Sequence, residues 1–186
     1  DVLNPSWIIF GDGFRASPAQ HFFERVFDLM ASLGLLLLAM PLMALAMIGI
    51  KLEEGLDAPI FYRQKRVGYH RQTFDVLKFR SMRADAEGDG TPRWAAANDA
   101  RVTWVGRLLR RTRIDELPQL INVLTGEMSF VGPRPERPYF VAQLGESIPF
   151  YALRLGVKPG ITGWAQVRHE YTASVEDSAK KLEYDL

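Results

Sequence analysis

Leu29 to Ile50 reads LMASLGLLLLAMPLMALAMIGI, 22 residues without one charged side chain. As a straight helix it would extend about 33 Å at roughly 1.5 Å per residue, enough to cross the hydrocarbon core of a bilayer. Core helices of soluble proteins are rarely this long and this uniformly apolar, so the run predicts a membrane-embedded segment. It begins well inside the chain and no small-residue cleavage site follows it, which argues against a cleaved signal peptide. Pro41 lies near its middle, removes a backbone donor and crowds the preceding turn, so a bend is expected near Met40. Two outcomes fit: a kinked helix that spans, or a helix–break–helix that dips into one leaflet and returns. Arg25 and Lys51 flank the run and a dense basic block follows it, which places the C-terminal part on the cytoplasmic side.

Outward from the run, the 186 residues suffice for one domain with a core and are too few for two of typical size. The chain has no initiator Met and ends in KKLEYDL inside a helical pattern, as a piece of a longer protein would. A net charge of +1 gives no reason to expect a nucleic-acid partner, but it hides a local imbalance. Seven Lys/Arg and one acid lie between Arg63 and Arg83, and five Arg and no acid between Arg101 and Arg113. Such blocks face phosphates, of a substrate or of a membrane surface. The absence of cysteine excludes disulfides, thiolate catalysis and zinc–cysteine sites.

Residues 1–24 read as an irregular lead-in, 25–51 as the membrane segment and 52–186 as a cytoplasmic catalytic domain cut short at its C-terminus. PIFYRQKRVGYHRQTFDVLKFRSM predicts two short strands around a turn near Gly68, since Phe74, Val76 and Lys78 alternate with Asp75, Leu77 and Phe79. ADAEGDGTPRWAAANDA predicts a surface loop. RVTWVGRLLRRT spaces Val102, Val105, Leu108 and Leu109 as an amphipathic basic helix suited to an anionic interface. Leu117, Leu120, Ile121 and Leu124 give a further helical face ending at Gly126. In SFVGPRPERPYF, prolines hold Arg134 and Arg137 on stiff, extended backbone, which suits an arginine that meets a phosphate in fixed geometry. GVKPGITGWAQV predicts a Pro-Gly turn with a short strand, and Ser174 with Asp177 has the spacing of a capping box ahead of a last helix.

RRTRIDELPQL, Arg110 to Leu120, poses a choice of role for Asp115 and Glu116. Asp is a preferred N-cap, an acidic first turn suits the helix dipole, and Pro118 is tolerated there. Against a pure cap, Arg110, Arg111 and Arg113 would hold Asp115 ionised and attract a diphosphate. Paired carboxylates also begin a magnesium site, and an ionised carboxylate can attack phosphorus. The two roles are compatible, because a helix N-terminus stabilises phosphate.

FDLMASLGLLLLAMPLM, FYRQKRVG, LKFRSMR, RTRIDELPQLINVLTGEMSFVGPRPERPYF and VKPGITGWAQV together resemble the bacterial sugar transferases, monotopic polyprenyl-phosphate phosphoglycosyl transferases. The lead-in PSWIIFGDGFRAS looks like the branch tied to exopolysaccharide and exosortase-linked loci. The resemblance implies an α+β, helix-dominated fold: a re-entrant membrane helix broken at Pro41, amphipathic interface helices and a small β-hairpin or sheet, on the cytoplasmic face of the bacterial inner membrane. It implies that Asp115 attacks the β-phosphate of a nucleoside-diphosphate sugar, a UDP-sugar in expectation, and that polyprenyl (undecaprenyl) phosphate then takes the phosphosugar. Magnesium would sit at Asp115 and Glu116, and Lys78, Arg80, Arg110 and Arg134 match positions near substrate phosphates. Many members follow GWAQV with an Asn-Gly-Arg-Asn type sequence; here Arg168, His169, Glu170 and Tyr171 stand there, so the ligands of this region stay open, with Arg168 one substrate candidate. Membrane lipid is a further expected partner and a homodimer is an open option.

Two rivals remain from the residues. A non-catalytic adaptor binding anionic lipid or a partner enzyme would lose membrane affinity in salt and be indifferent to Asp115. A magnesium-dependent hydrolase of lipid diphosphates would need no acceptor.

Overall fold

A computed structural model describes residues 17–83, 86, 99–168 and 175–185. Most of the lead-in, nearly all of the loop ahead of Asp99, His169 to Tyr171 and the Ser174 cap lie outside the described residues. Helix dominates. Helix α1 (Pro18–Glu54) is followed by strands β1 (Phe61–Val67) and β2 (Thr73–Phe79), helices α2 (Trp104–Arg111) and α3 (Gln119–Thr125), strand β3 (Ser129–Val131), helix α4 (Pro138–Ser147), strand β4 (Gly160–Thr162), and helices α5 (Trp164–Arg168) and α6 (Val175–Asp185). β1 pairs with β2, as the alternation predicts, and β3 with β4. The connection between β1 and β2 carries His70 and Arg71 at positive φ.

α1 contains the whole apolar run and is long and apolar enough to cross a membrane. It is one 37-residue helix with Pro41 inside it, where two helical segments and a break are expected. A proline can bend a helix axis without ending the helix. Leu33, Leu37, Leu38 and Met40 are all more than half exposed. Burial of apolar surface is what stabilises a core helix, so a strip left bare over this length marks a segment made for an apolar surrounding. The flanking cations have other work than marking orientation. Arg25 Nη1 and Nη2 donate to the carbonyls of Val123 and Leu124, each at 2.6 Å, at the end of α3. There Gly126 takes the left-handed φ of 88° that ends a helix. Lys51 donates to the carbonyls of Leu56 and Ala58.

The chain divides into two compact units, neither continuous in sequence. One comprises Ala31–Gln64 and Asp75–Asn122. Its core joins Ala46 and Ile50 of α1 to Phe79 and Leu109, with Met43, Met47 and Val105 packed against them. Positions 43, 46, 47 and 50 form a helical stripe, so α1 beyond Pro41 turns one face inward. Glu53 accepts from the amides of Trp104 (2.7 Å) and Val105 (2.8 Å), and Thr103 Oγ1 from Gly106 (2.9 Å), so three of the first amides of α2 are satisfied. A β-carbon on Gly106 would come within 2.1 Å of the Ser81 carbonyl oxygen, so α2 lies backbone-to-backbone on the end of β2. Gly106→Ala is therefore expected to lower stability by about 1–3 kcal/mol through overpacking, read as a drop in Tm. α2 is amphipathic and basic as predicted: Leu109 is buried, while Trp104, Leu108, Arg107 and Arg111 are exposed.

The other unit comprises Asp1–Met30, Lys65–Phe74 and Val123–Leu186. β3 and β4 run parallel, Ser129 opposite Gly160 and Val131 opposite Thr162. Phe140, Leu144, Ile148, Tyr151 and Leu182 form its core. Buried Arg154 is fixed by Asp185 at 2.7 Å and Tyr151 Oη at 2.7 Å, and it donates to the Arg134 carbonyl at 3.0 Å. Buried Asp28 of α1 accepts from Ser129 Oγ and the Phe130 amide. The interior of α3 departs from the predicted face: Leu120 and Val123 are buried with the polar Gln119 and Asn122, and Ile121 is exposed.

Candidate active site

Asp115 does not cap α3. It lies in a single 3-10 turn, Ile114–Glu116, ahead of that helix. Arg113, just before the turn, is held at φ 60°, a left-handed conformation that costs a non-glycine residue of order 1 kcal/mol. Asp115 is buried at 7% exposure, and its Oδ1 has no hydrogen-bond partner among the described residues. Glu116 beside it is engaged: Lys78 Nζ approaches Oε1 at 3.4 Å and Arg113 Nη1 at 3.5 Å.

Two further residues, Asn122 and Ser81, hold these groups in place. Asn122 receives the Leu77 amide at 3.0 Å and donates to the Asp75 carbonyl at 2.9 Å, fixing α3 to the β2 edge that carries Lys78. Arg110 Nε donates to Ser81 Oγ at 2.9 Å, and the close approach at Gly106 brings those two elements within reach. Arg80 keeps its amide on the Ile60 carbonyl, while its Nε is buried without a partner among the described residues. Lys78, Arg80, Arg110, Asp115 and Glu116 thus fall in one compact unit. Sequence reading missed Ser81 and Asn122 as positioning groups. The visible signal for Asn122 is a polar residue three positions after Gln119, within an otherwise apolar helical repeat.

Burial adds an effect that the neighbouring arginines do not reveal. Burial raises the Asp115 carboxyl above its ordinary range, Glu116 pushes it the same way, and Lys78, Arg110 and Arg113 only partly oppose them. The cations favour the ionised form, as their sequence positions imply, but burial more than offsets their pull on the carboxyl, because a charge taken from water loses more than three partly solvated cations return. A buried carboxylate oxygen without a donor is poised to bond something outside the protein: an electrophile or a cation.

Arg134, Arg137 and Arg168 belong to the other unit. Arg137 stands on extended backbone (φ −66°, ψ 145°) at the start of α4, as the prolines predict. Arg134 lends its carbonyl to Arg154. Arg168 ends α5, exposed, with its guanidinium 4.7 Å from the centre of the Trp164 ring.

No cluster of three or more metal-ligating side chains occurs among the described residues. Magnesium, however, commonly takes one or two protein carboxylates and completes its shell with water and substrate phosphate. Asp115, with its unpartnered Oδ1, and the adjacent Glu116 fit that requirement.

A family model described as bacterial sugar transferase matches residues 19–186. The chain belongs to the bacterial sugar transferase family. It is 46% identical over 170 residues to a UDP-N-acetylgalactosamine-undecaprenyl-phosphate N-acetylgalactosaminephosphotransferase of Aeromonas hydrophila, covering 91% of this chain and 40% of that protein. It is 48% identical over 168 residues to an undecaprenyl-phosphate glucose phosphotransferase of Komagataeibacter xylinus, covering 88% of this chain and 31% of the relative. A UDP-glucose:undecaprenyl-phosphate glucose-1-phosphate transferase of Escherichia coli K12 is 42% identical over 172 residues, covering 91% and 36%. This member of the sugar transferase family thus spans 31 to 40% of the length of those relatives.

Proposed function

We propose that the chain transfers a sugar-1-phosphate from a nucleoside-diphosphate sugar, in particular a UDP-sugar, to polyprenyl phosphate such as undecaprenyl phosphate. This would be the first membrane step of exopolysaccharide or glycoconjugate assembly at the cytoplasmic face of the inner membrane. The buried, unpartnered Oδ1 of Asp115 beside Glu116 carries the reading, and the names of the relatives supply its substrates. Asp115 attacks the β-phosphorus: an Asp115 O–P bond forms, and the bond from that phosphorus to the bridging oxygen breaks. The nucleoside monophosphate departs with the electron pair and the phosphosugar stays on the enzyme. An oxygen of the acceptor phosphate then attacks the same phosphorus and frees Asp115.

Lys78, Arg80 and Arg110 bind the diphosphate oxygens, and Glu116 assists proton transfer; Arg134, Arg137 and Arg168 are further proposed substrate contacts. A magnesium ion held by Asp115 and Glu116 would neutralise diphosphate charge and favour the ionised form of Asp115. Without acceptor, the enzyme is expected to release one nucleoside monophosphate per active site in a burst and to retain labelled phosphosugar. Sustained release of free sugar phosphate in the absence of acceptor would identify a hydrolase.

α1 is proposed to enter one leaflet and return, bending at Pro41. In this cysteine-free chain, single cysteines placed at Ser17 and Ala58 are expected to react with an impermeant maleimide from the cytoplasmic side only. Reaction from opposite sides would establish a spanning helix.

A further inference from the structure

A cavity of about 1310 Å³ opens between the end of α1 and α2, within the unit that holds Asp115. This exceeds the roughly 300–1,000 Å³ of usual small-molecule sites, so an extended ligand fits without rearrangement. Its walls differ in chemistry. The α2 wall presents Trp104, Arg107, Arg110 and Arg111, and the α1 side presents Glu54 and Asp57. Arg83, Asp99 and Glu53 complete the charged lining. Asp99 is ion-paired with Arg101 at 2.6 Å, and Glu53 accepts the first amides of α2. The formal charges of the lining cancel, four arginines against four carboxylates, while their placement is polar, with three of the cations on α2 and the carboxylates of Glu54 and Asp57 on the α1 side.

Trp104, Arg107 and Arg111 recur at helical spacing, so an indole and two guanidiniums stand in a row on one exposed face. An indole stacks on a nucleobase whatever its identity, and guanidiniums bind phosphate oxygens in forked, charge-assisted pairs. Carboxylates accept hydrogen bonds from vicinal hydroxyls, as acidic residues do from ribose in dinucleotide sites. Glu54 Oε2 is buried without a hydrogen-bond partner among the described residues, so a carboxylate of the same lining is itself unsatisfied. Arg110 lines the cavity and also acts electrostatically on Asp115.

We propose that this cavity binds the nucleoside diphosphate end of the sugar donor: the base on Trp104, the diphosphate along Arg107 and Arg111 toward Arg110, and the ribose hydroxyls on Glu54. This rests on the transferase reading, and it assigns donor recognition to four residues outside the reacting cluster, Glu54, Trp104, Arg107 and Arg111. The leaving monophosphate occupies the cavity after the first step, and the acceptor enters once it has gone.

Titration calorimetry of UDP against the full chain in nanodiscs, with magnesium present, reads binding without turnover. Arg107→Gln combined with Arg111→Gln is expected to weaken UDP binding about tenfold or more. Trp104→Ala is expected to weaken it several-fold while Trp104→Phe retains it, and Glu54→Gln should penalise UDP more than inorganic pyrophosphate. Partition of the same variants into vesicles containing anionic phosphatidylglycerol should stay near that of the unaltered chain. UDP affinity unchanged in both the double-arginine and Trp104→Ala variants would overturn the proposal, and a loss of vesicle partition in its place would make this face a lipid-headgroup surface. All four side chains are half-buried or exposed, and an unchanged Tm confirms that each variant folds. Failure here leaves the covalent mechanism standing, whereas turnover by an Asp115 variant would sink the mechanism without altering UDP affinity.

Discussion

Asp115→Asn is expected to reduce turnover by on the order of 10⁴-fold or more, because the proposed covalent step would lose its nucleophile. On the same proposal Lys78, Arg80 and Arg110 would still bind donor, so nucleotide affinity should change little. The same substitution is expected to stabilise the protein in magnesium-free buffer near neutral pH. Burial raises the Asp115 carboxyl, which means that the folded state binds this proton more tightly than the unfolded state does. Below the unfolded carboxyl's range both states are protonated and the group costs nothing; the cost grows as pH rises toward the folded value and is complete above it. Asn is neutral throughout, so its advantage should appear at pH 7 and fade as pH falls into the ordinary carboxylate range. Thermal denaturation with a chelator at two pH values checks this. Equal Tm differences at both would show that Asp115 imposes no charge penalty on folding.

The largest expected loss of stability follows from Asp185→Asn. Arg154 and Asp185 are side chains of 9% and 3% exposure held 2.7 Å apart, and the change leaves a buried guanidinium without its counter-ion. Breaking such a pair costs about 3–5 kcal/mol. Tyr151 Oη and the Arg134 carbonyl would remain as partners, but neither carries a compensating charge. Arg154→Met is expected to be milder at acidic pH, because burial already raises the Asp185 carboxyl and it can take up a proton. The double variant Arg154→Met with Asp185→Asn should be more stable than Asp185→Asn alone. Chemical denaturation of all three variants tests this; additive losses would mean that the two side chains do not act as a pair. Loss of Arg154 should also loosen the Arg134 backbone, so donor KM is expected to rise before unfolding is complete.

What local chemistry governs was legible in the sequence. The apolar run announced α1, alternation around Phe74 announced the hairpin, Gly126 announced the end of α3, and the prolines beside Arg137 announced its extended backbone. What depends on partners distant in sequence was not. The parallel pairing of Ser129 with Gly160 joins segments 31 positions apart, and no periodicity in either encodes the other. Arg25 reads as a flanking membrane charge until the carbonyls of Val123 and Leu124 appear against it. Asp115 stood out in the sequence as a candidate, but the burial that raises its carboxyl did not. Neighbouring arginines are visible in a sequence, whereas desolvation is a property of the folded surroundings.

Glu53 sits one residue from the end of α1 and supplies the acceptors for the first amides of α2, while Ala46 and Ile50 fill the core beside Phe79 and Leu109. The anchor is therefore not severable. A truncation beginning near residue 55, the usual route to a water-soluble version of a membrane-tethered enzyme, would remove part of the interior and uncap the helix that carries Arg110. Handling of this chain outside a lipid or detergent environment calls for repainting the exposed face of α1 with polar side chains and keeping its inward stripe.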